Sequence, residues 1–287
     1  MNSDILTIIQ TNMSSFSKGQ KLIAKYILEF YDKAAFMTAS RLGKTVGVSE
    51  STVVRFAVEL GYVGYPSMQK ALQAMILNRL TSVQRIEVTN DRIGDQDVVS
   101  MVLQADIDKI RMTNEALDRA AFDAAVEAIT KAENIYILGV RSSASLANFL
   151  GFYLNYMFDN VRLVTKSGTG SVFEQIVRVG PRDVVIGISF PRYSSSTIKG
   201  IQFCRDMGAT VIGLTDAKDS PVGQCSHHVL VAKSDMVSLV DSLVAPLSMI
   251  NALVVATAQR REKELANTLN KLERIWDEYE VYEKVTN

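Results

Sequence analysis

Between Asp183 and Thr197 the chain reads DVVIGISFPRYSSST, and its polar side chains are hydroxyls and a guanidinium: Ser189, Arg192, Ser194, Ser195, Ser196 and Thr197. Such groups hold a phosphate or a sugar through hydrogen bonds and charge, but none is a base strong enough to move a proton unaided. The chemistry expected here is binding. Two further stretches share the pattern, Gly139-Val140-Arg141-Ser142-Ser143 and Thr165-Lys166-Ser167-Gly168-Thr169-Gly170. The candidate ligand-binding residues are Arg141, Ser142, Ser143, Ser189, Arg192, Ser194 and Ser195.

Each stretch follows a short apolar run. Val184, Val185, Ile186 and Ile188 are apolar without alternation, as in a strand covered on both faces. Similar runs predict strands at 135–138, 161–164, 210–214 and 229–231, with helices at 144–157, 171–179 and 197–207 between them. Strands alternating with helices predict a parallel, doubly wound sheet. In such a sheet the C-terminal strand ends share one edge, so the hydroxyl-rich loops can converge where ligands of open α/β sheets bind.

An aldose-ketose isomerase on such a scaffold needs a carboxylate or histidine base and an acid for ring opening. Glu174, Asp216, Asp241, His227 and His228 are the candidates. The histidines are consecutive at the start of the fifth strand and so face opposite ways, and Asp216 can equally cap a turn. No acid and base pair presents itself, so no catalytic residue is assigned and a non-enzyme is expected, with an isomerase as the alternative.

The N-terminal third carries a different signal. Residues 39–58 fit a helix-turn-helix: Leu42 and Val46 face inward, Gly43 sits where the helices cross, Gly47 makes the turn and Ser49 caps the second helix. Val53, Phe56, Ala57 and Leu60 give that helix a buried face, and Ser51, Thr52, Arg55 and Glu59 lie opposite. The N-terminal part of a recognition helix reaches base edges and nearby phosphates. Ser49, Ser51, Thr52 and Arg55 are the DNA-contact candidates, Ser49 also as the cap.

Charge agrees with that division. The 287-residue chain has 31 basic and 31 acidic side chains, yet residues 1–79 hold nine basic against five acidic, a bias that suits a polyanion. Two cysteines, Cys204 and Cys225, have neither metal-ligand nor redox spacing, so no metal and a reduced, cytoplasmic setting are expected. No export signal is evident. The uncharged stretch 242–258 contains Pro246, two serines and an asparagine, and is expected to be a buried core helix rather than a membrane span. Residues 97–117 predict a helix that can serve as a core face or a dimer surface, and 266–282 predict a C-terminal helix.

Taken together, these parts resemble the RpiR-type transcriptional regulators, in which a helix-turn-helix domain precedes a sugar isomerase (SIS) domain. The family loop G-x-G-x-S falls on Gly139, Arg141 and Ser143, with arginine at the second glycine. The loop S-x-S-G-x-[ST] falls on Ser189, Pro191, Arg192 and Ser194, with Pro191-Arg192 in place of Ser-Gly. The resemblance implies an all-α DNA-binding domain at 1–80, a linker at 81–96 and a SIS domain with flanking helices at 97–287, core 124–264. It implies a five-stranded parallel, flavodoxin-like α/β sheet. The expected partners are double-stranded operator DNA, a phosphosugar or sugar-acid effector and a second copy of the chain, with dimer or tetramer open; no cofactor and no membrane are expected. A ligand-independent dimeric DNA-binding or scaffold protein is the other alternative.

Overall fold

The structure, a computed structural model, describes residues 5–77, 83–86, 89, 97–165, 169–234 and 240–283. The chain divides into two compact units, Met1–Met101 with Met236–Asp241, and Val102–Asp235 with Ser242–Asn287. Within 81–96, expected as a linker, residues 83–86 and 89 are helical and the others lie outside the described residues.

The first unit is helical: α1 (Ile5–Thr11), α2 (Lys18–Glu29), α3 (Tyr31–Ala34), α4 (Ala39–Val46), α5 (Glu50–Glu59) and α6 (Tyr65–Leu77). Ser17 starts α2 through a reciprocal capping box, accepting from the Gln20 N–H while the Gln20 side chain accepts from the Ser17 N–H. Ile9, Ile23, Ile27, Leu42, Phe56, Met68 and Leu72 form the dry centre, where the Phe16 and Phe56 rings meet edge-on at 5.1 Å. The Tyr65 hydroxyl and the Gln69 amide both donate to the Met37 carbonyl at 2.7 Å, tying α6 to the segment before α4. Burial pushes the Tyr65 phenol up to about 12, so this donor stays protonated.

The second unit holds α7 (Val98–Glu115, whose first residues belong to the helical unit), α8 (Arg119–Lys131), β1 (Ile135–Leu138), α9 (Ser143–Leu154), β2 (Val161–Val164), α10 (Thr169–Ile176) and β3 (Val184–Ile188). There follow α11 (Ser195–Asp206), β4 (Thr210–Thr215), α12 (Pro221–Gln224), β5 (His228–Val231), α13 (Val244–Arg260) and α14 (Glu262–Glu278). All strand pairs are parallel and the order is β2-β1-β3-β4-β5, the flavodoxin-like arrangement. Ile135, Ile137, Val184, Ile186 and Ile212 point to a face covered by α8, α9 and α13, whereas Tyr136, Leu138, Val185 and Val211 point to one covered by α10, α11 and α12. Both faces are apolar because both are covered, which is why these strands read as unbroken apolar runs.

Element ends moved by a few residues for identifiable reasons. Ser194 takes the cap, so α11 begins at Ser195 instead of 197. α9 stops at Leu154 rather than 157, closing with 3₁₀-type bonds from Tyr156 to Tyr153 and from Met157 to Leu154. The uncharged stretch became α13, which buries Ala245, Pro246, Met249, Ile250, Leu253 and Thr257. Among the described residues no helix is long and apolar enough to cross a membrane.

Candidate functional site

In the helical unit α4, its turn and α5 form the helix-turn-helix. Gly47 closes α4 at φ 75°, a left-handed conformation that glycine enters without Cβ strain. Gly43 is equally constrained, since a Cβ there would lie 2.8 Å from the Val48 carbonyl oxygen. Ser49 Oγ accepts from the Thr52 N–H at 3.3 Å and sits 2.9 Å from Ser51 Oγ and 2.8 Å from Thr52 Oγ1. Arg55 Nε donates to the Ser51 carbonyl at 3.3 Å, which aligns the base of its side chain along the helix.

Ser49, Ser51 and Arg55 are exposed, as expected, but Thr52 is half-buried with its methyl beside Gly19 at the start of α2. Thr52 therefore joins the cap more than the outer face. Glu59 is exposed and accepts from the Gln20 amide at 2.5 Å. Sequence reasoning missed Val54 and Val58, exposed at 38% and 54% beside Ser51 and Arg55. Counting 3.6 residues per turn from Ser51 would have found them. Their apolar type masked them.

In the second unit the order places the reversal of chain direction between β1 and β3. The chain leaves β1 for α9 on one face and leaves β3 for α11 on the other, so a crevice opens beyond their paired ends, Leu138 opposite Gly187. The loops 139–143 and 189–194 follow those paired ends, so Arg141, Ser142 and Ser143 lie on the same sheet edge as Ser189, Arg192, Ser194 and Ser195. In the third loop, Lys166, Ser167 and Gly168 lie outside the described residues.

Gly139 lets the first loop turn tightly, because a Cβ there would meet the Ser143 carbonyl oxygen at 2.8 Å. Ser142 is exposed without a capping bond and Ser143 is buried. In the second loop buried Ser189 accepts from the Ser194 N–H at 3.1 Å, Ser194 Oγ accepts from the Thr197 N–H, and Ser196 Oγ lies 2.8 Å from Ser194 Oγ. Tyr193 anchors the loop by donating to Asp216 Oδ1 at 2.8 Å. Burial, then the Asp216 charge, raises the Tyr193 phenol far above its ordinary value, so it remains a donor. Arg141 and Arg192, the two arginines at the family's glycine positions, both keep left-handed backbones, φ 58° and 63°. In the described residues the only other non-glycine residue with positive φ is Glu280.

Thr197 was one of the hydroxyls of the stretch but not one of the ligand-binding candidates, and Lys233 was not considered. Thr197 is 1% exposed, and its hydroxyl has no hydrogen-bond partner among the described residues. Lys233, just past β5 on the same sheet edge, donates to the Asp216 carbonyl at 3.1 Å. Its position directly after a strand was the available signal.

The carboxylates and histidines considered for catalysis are dispersed. Glu174 is exposed on α10, and Asp216 is held by Tyr193 and Thr215. Asp241 belongs to the helical unit, paired with Arg85 at 2.7 Å. His227 precedes β5 at the opposite sheet edge, where its Nδ1 accepts from the Val211 N–H at 2.9 Å. Among the described residues no group of three or more His, Cys, Asp or Glu is placed to hold a metal. Cys204 is buried, its thiol pushed up to about 12 by desolvation and then by the Asp183 charge, which leaves it unreactive.

Residues 3–78 match the family model for the rpiR-family helix-turn-helix domain, and 128–256 match that for the SIS domain. The chain is of the RpiR type. An uncharacterized HTH-type transcriptional regulator of Caldanaerobacter subterraneus subsp. tengcongensis is 24% identical, covering 95% of this chain and 97% of that one. A second, from Haemophilus influenzae, is 25% identical over 94% and 95%. Among solved structures, the sugar isomerase domain of an RpiR transcription factor from Sphaerobacter thermophilus is 29% identical with a TM-score of 0.60, covering 62% of this chain and 99% of that one. The Vibrio vulnificus NanR protein, solved with ManNAc-6P, shares the fold at 22% identity and a TM-score of 0.59 over 96% and 98%.

Proposed function

We propose that this RpiR-type chain is a cytoplasmic, DNA-binding transcriptional regulator of carbohydrate metabolism whose SIS domain senses a phosphorylated sugar or sugar acid and alters operator binding. The observation that carries this reading is the presence in one chain of a capped α5 presenting Ser51 and Arg55 and a β1/β3 crevice flanked by serines and arginines. The N-terminus of α11 supplies unpaired N–H groups beside Ser189 and Ser194, an arrangement suited to a phosphate. ManNAc-6P on the same fold in NanR accords with that class of ligand.

Two recognition helices must be spaced by a helical turn of DNA or a multiple of it, so the working form is a homodimer. The exposed Leu103, Ile107 and Ile110 of α7, with Ile275 of α14 and Tyr279 at its C-cap, offer further apolar surface for a tetramer. An effector with different affinity for two dimer geometries shifts DNA binding, and DNA reciprocally shifts effector affinity. We assign no catalytic step, because the candidate acids and bases do not gather at the crevice.

The test is duplex selection from a random library with the full chain, followed by gel shifts with and without phosphosugars. Ser189→Ala and Ser194→Ala are expected to abolish the effector response while apo DNA binding persists, and Arg55→Ala to do the reverse. Equal loss of both activities from either class of change refutes the two-module reading.

A further inference from the structure

We propose that the β1/β3 crevice takes an effector bearing two separate anionic groups, a phosphate at the start of α11 and a second anion, carboxylate or phosphate, gripped by Arg141 and Arg192. This rests on the effector reading above and names its charge.

Left-handed backbone disfavours any residue with a Cβ, and such strain concentrates where function requires it. Here it falls on two arginines in loops that follow adjacent, hydrogen-bonded strands. Both side chains are exposed, and a guanidinium pairs with planar anions through two parallel N–H bonds. Glycine would satisfy both backbones without strain.

The phosphate end has its own marker. α11 packs so closely on β1 that a Cβ at Gly200 would lie 2.9 Å from Leu138 Cδ2, the end of the strand. α11 runs back against the strand direction, so Thr197, three residues earlier, sits about 4.5 Å further toward the loop carrying Arg141. Its buried hydroxyl, without a partner among the described residues, lies in the first turn of the helix, on the loop side of Leu138. Buried polar groups are almost always satisfied, and a bound phosphate oxygen supplies the missing partner.

Calorimetric titration of the full chain with four probes tests this: glucose 6-phosphate, 6-phosphogluconate, fructose 1,6-bisphosphate and gluconate. The probes with an anion at each end are expected to bind at least tenfold tighter than glucose 6-phosphate, with gluconate weakest. Arg141→Gly and Arg192→Gly fold without strain and are expected to bring that ratio to within about twofold. Thr197→Val is expected to weaken all three phosphorylated probes and leave the ratio unchanged. Glucose 6-phosphate binding as tightly as the two-anion probes overturns the proposal while the sugar-phosphate sensor reading survives. A wild-type ratio in both glycine variants, or wild-type affinities in Thr197→Val, also overturns it. If no probe binds and none alters operator binding, the effector reading itself fails and takes this proposal with it.

Discussion

Replacing Arg141 or Arg192 by glycine is expected to stabilise the apo protein while weakening its effector. The left-handed conformation costs an L-residue roughly 1–2 kcal/mol, and both arginines adopt it, at φ 58° and 63°. Glycine removes that strain but gives the unfolded chain more freedom, worth about 0.4–1 kcal/mol. The net gain is about 0.5–1 kcal/mol per site. At Arg141 alanine keeps the strain and removes the guanidinium, so it separates backbone from side chain and should match wild type to within about 0.5 kcal/mol. With a urea slope of about 2 kcal/mol/M, the glycine variants should unfold at a midpoint about 0.3–0.5 M higher with unchanged slope. Circular dichroism and the fluorescence of Trp276, the single tryptophan, read the transition. Effector binding should move the other way in both alanine and glycine variants, since a hydrogen bond to a charged group contributes about 1.5–3 kcal/mol, roughly ten- to a hundredfold in Kd. A glycine midpoint at or below the alanine midpoint would refute the strain argument.

Ser49→Ala removes the cap of α5 and should cost about 1 kcal/mol in thermal or urea melts, whereas Arg55→Ala should lower DNA affinity with the melt unchanged. Phe56→Ala opens the centre of the helical unit and should cost about 3–5 kcal/mol, abolishing gel shifts while effector titration still reads the other unit. His227 is expected to contribute a pH dependence: desolvation, with Arg205 and His228, lowers its pKa, and its Nδ1 must be unprotonated to accept from Val211. A depressed base favours the fold fully above its unfolded value near 6.5, and that stability is lost as pH falls through the folded value. Melting between pH 7.5 and 5 should therefore fall more steeply for wild type than for His227→Asn; parallel slopes would exclude the histidine.

The elements were legible wherever local chemistry and burial agree. The five strands could be placed from unbroken apolar runs because both faces of the sheet are covered, and Gly47 and Ser49 announced their turn and cap because a left-handed turn and an N-cap each favour few residue types. The serines and arginines of the two loops could be assigned to one sheet edge from the sequence because they follow strand ends. What the sequence hid depends on neighbours in space. Thr52 and Val54 have nearly equal claims to the outer face until packing against Gly19 draws Thr52 inward and leaves Val54 out. The sequence offered the histidines only as candidates that face opposite ways, and the partner of His227 came from the sheet, where it accepts from a neighbouring strand at the edge away from the strands' C-terminal ends.

Arg141 and Arg192 show why substitution at a motif position need not mean loss of the motif's geometry. Read as letters, arginine for glycine removes the residue that tolerates a left-handed turn. In the fold both turns persist: Gly139 still packs against the start of α9, and Ser189 still accepts from Ser194. The surrounding loop thus over-determines the backbone, and the arginine side chain is an addition to a retained frame. The frame holds both arginine backbones in loops at one edge of the sheet, and the second loop's hydroxyls are ordered by the cap of α11. A guanidinium at each of these loops is what the proposed two-anion effector would meet, where a neutral sugar would need hydroxyls alone.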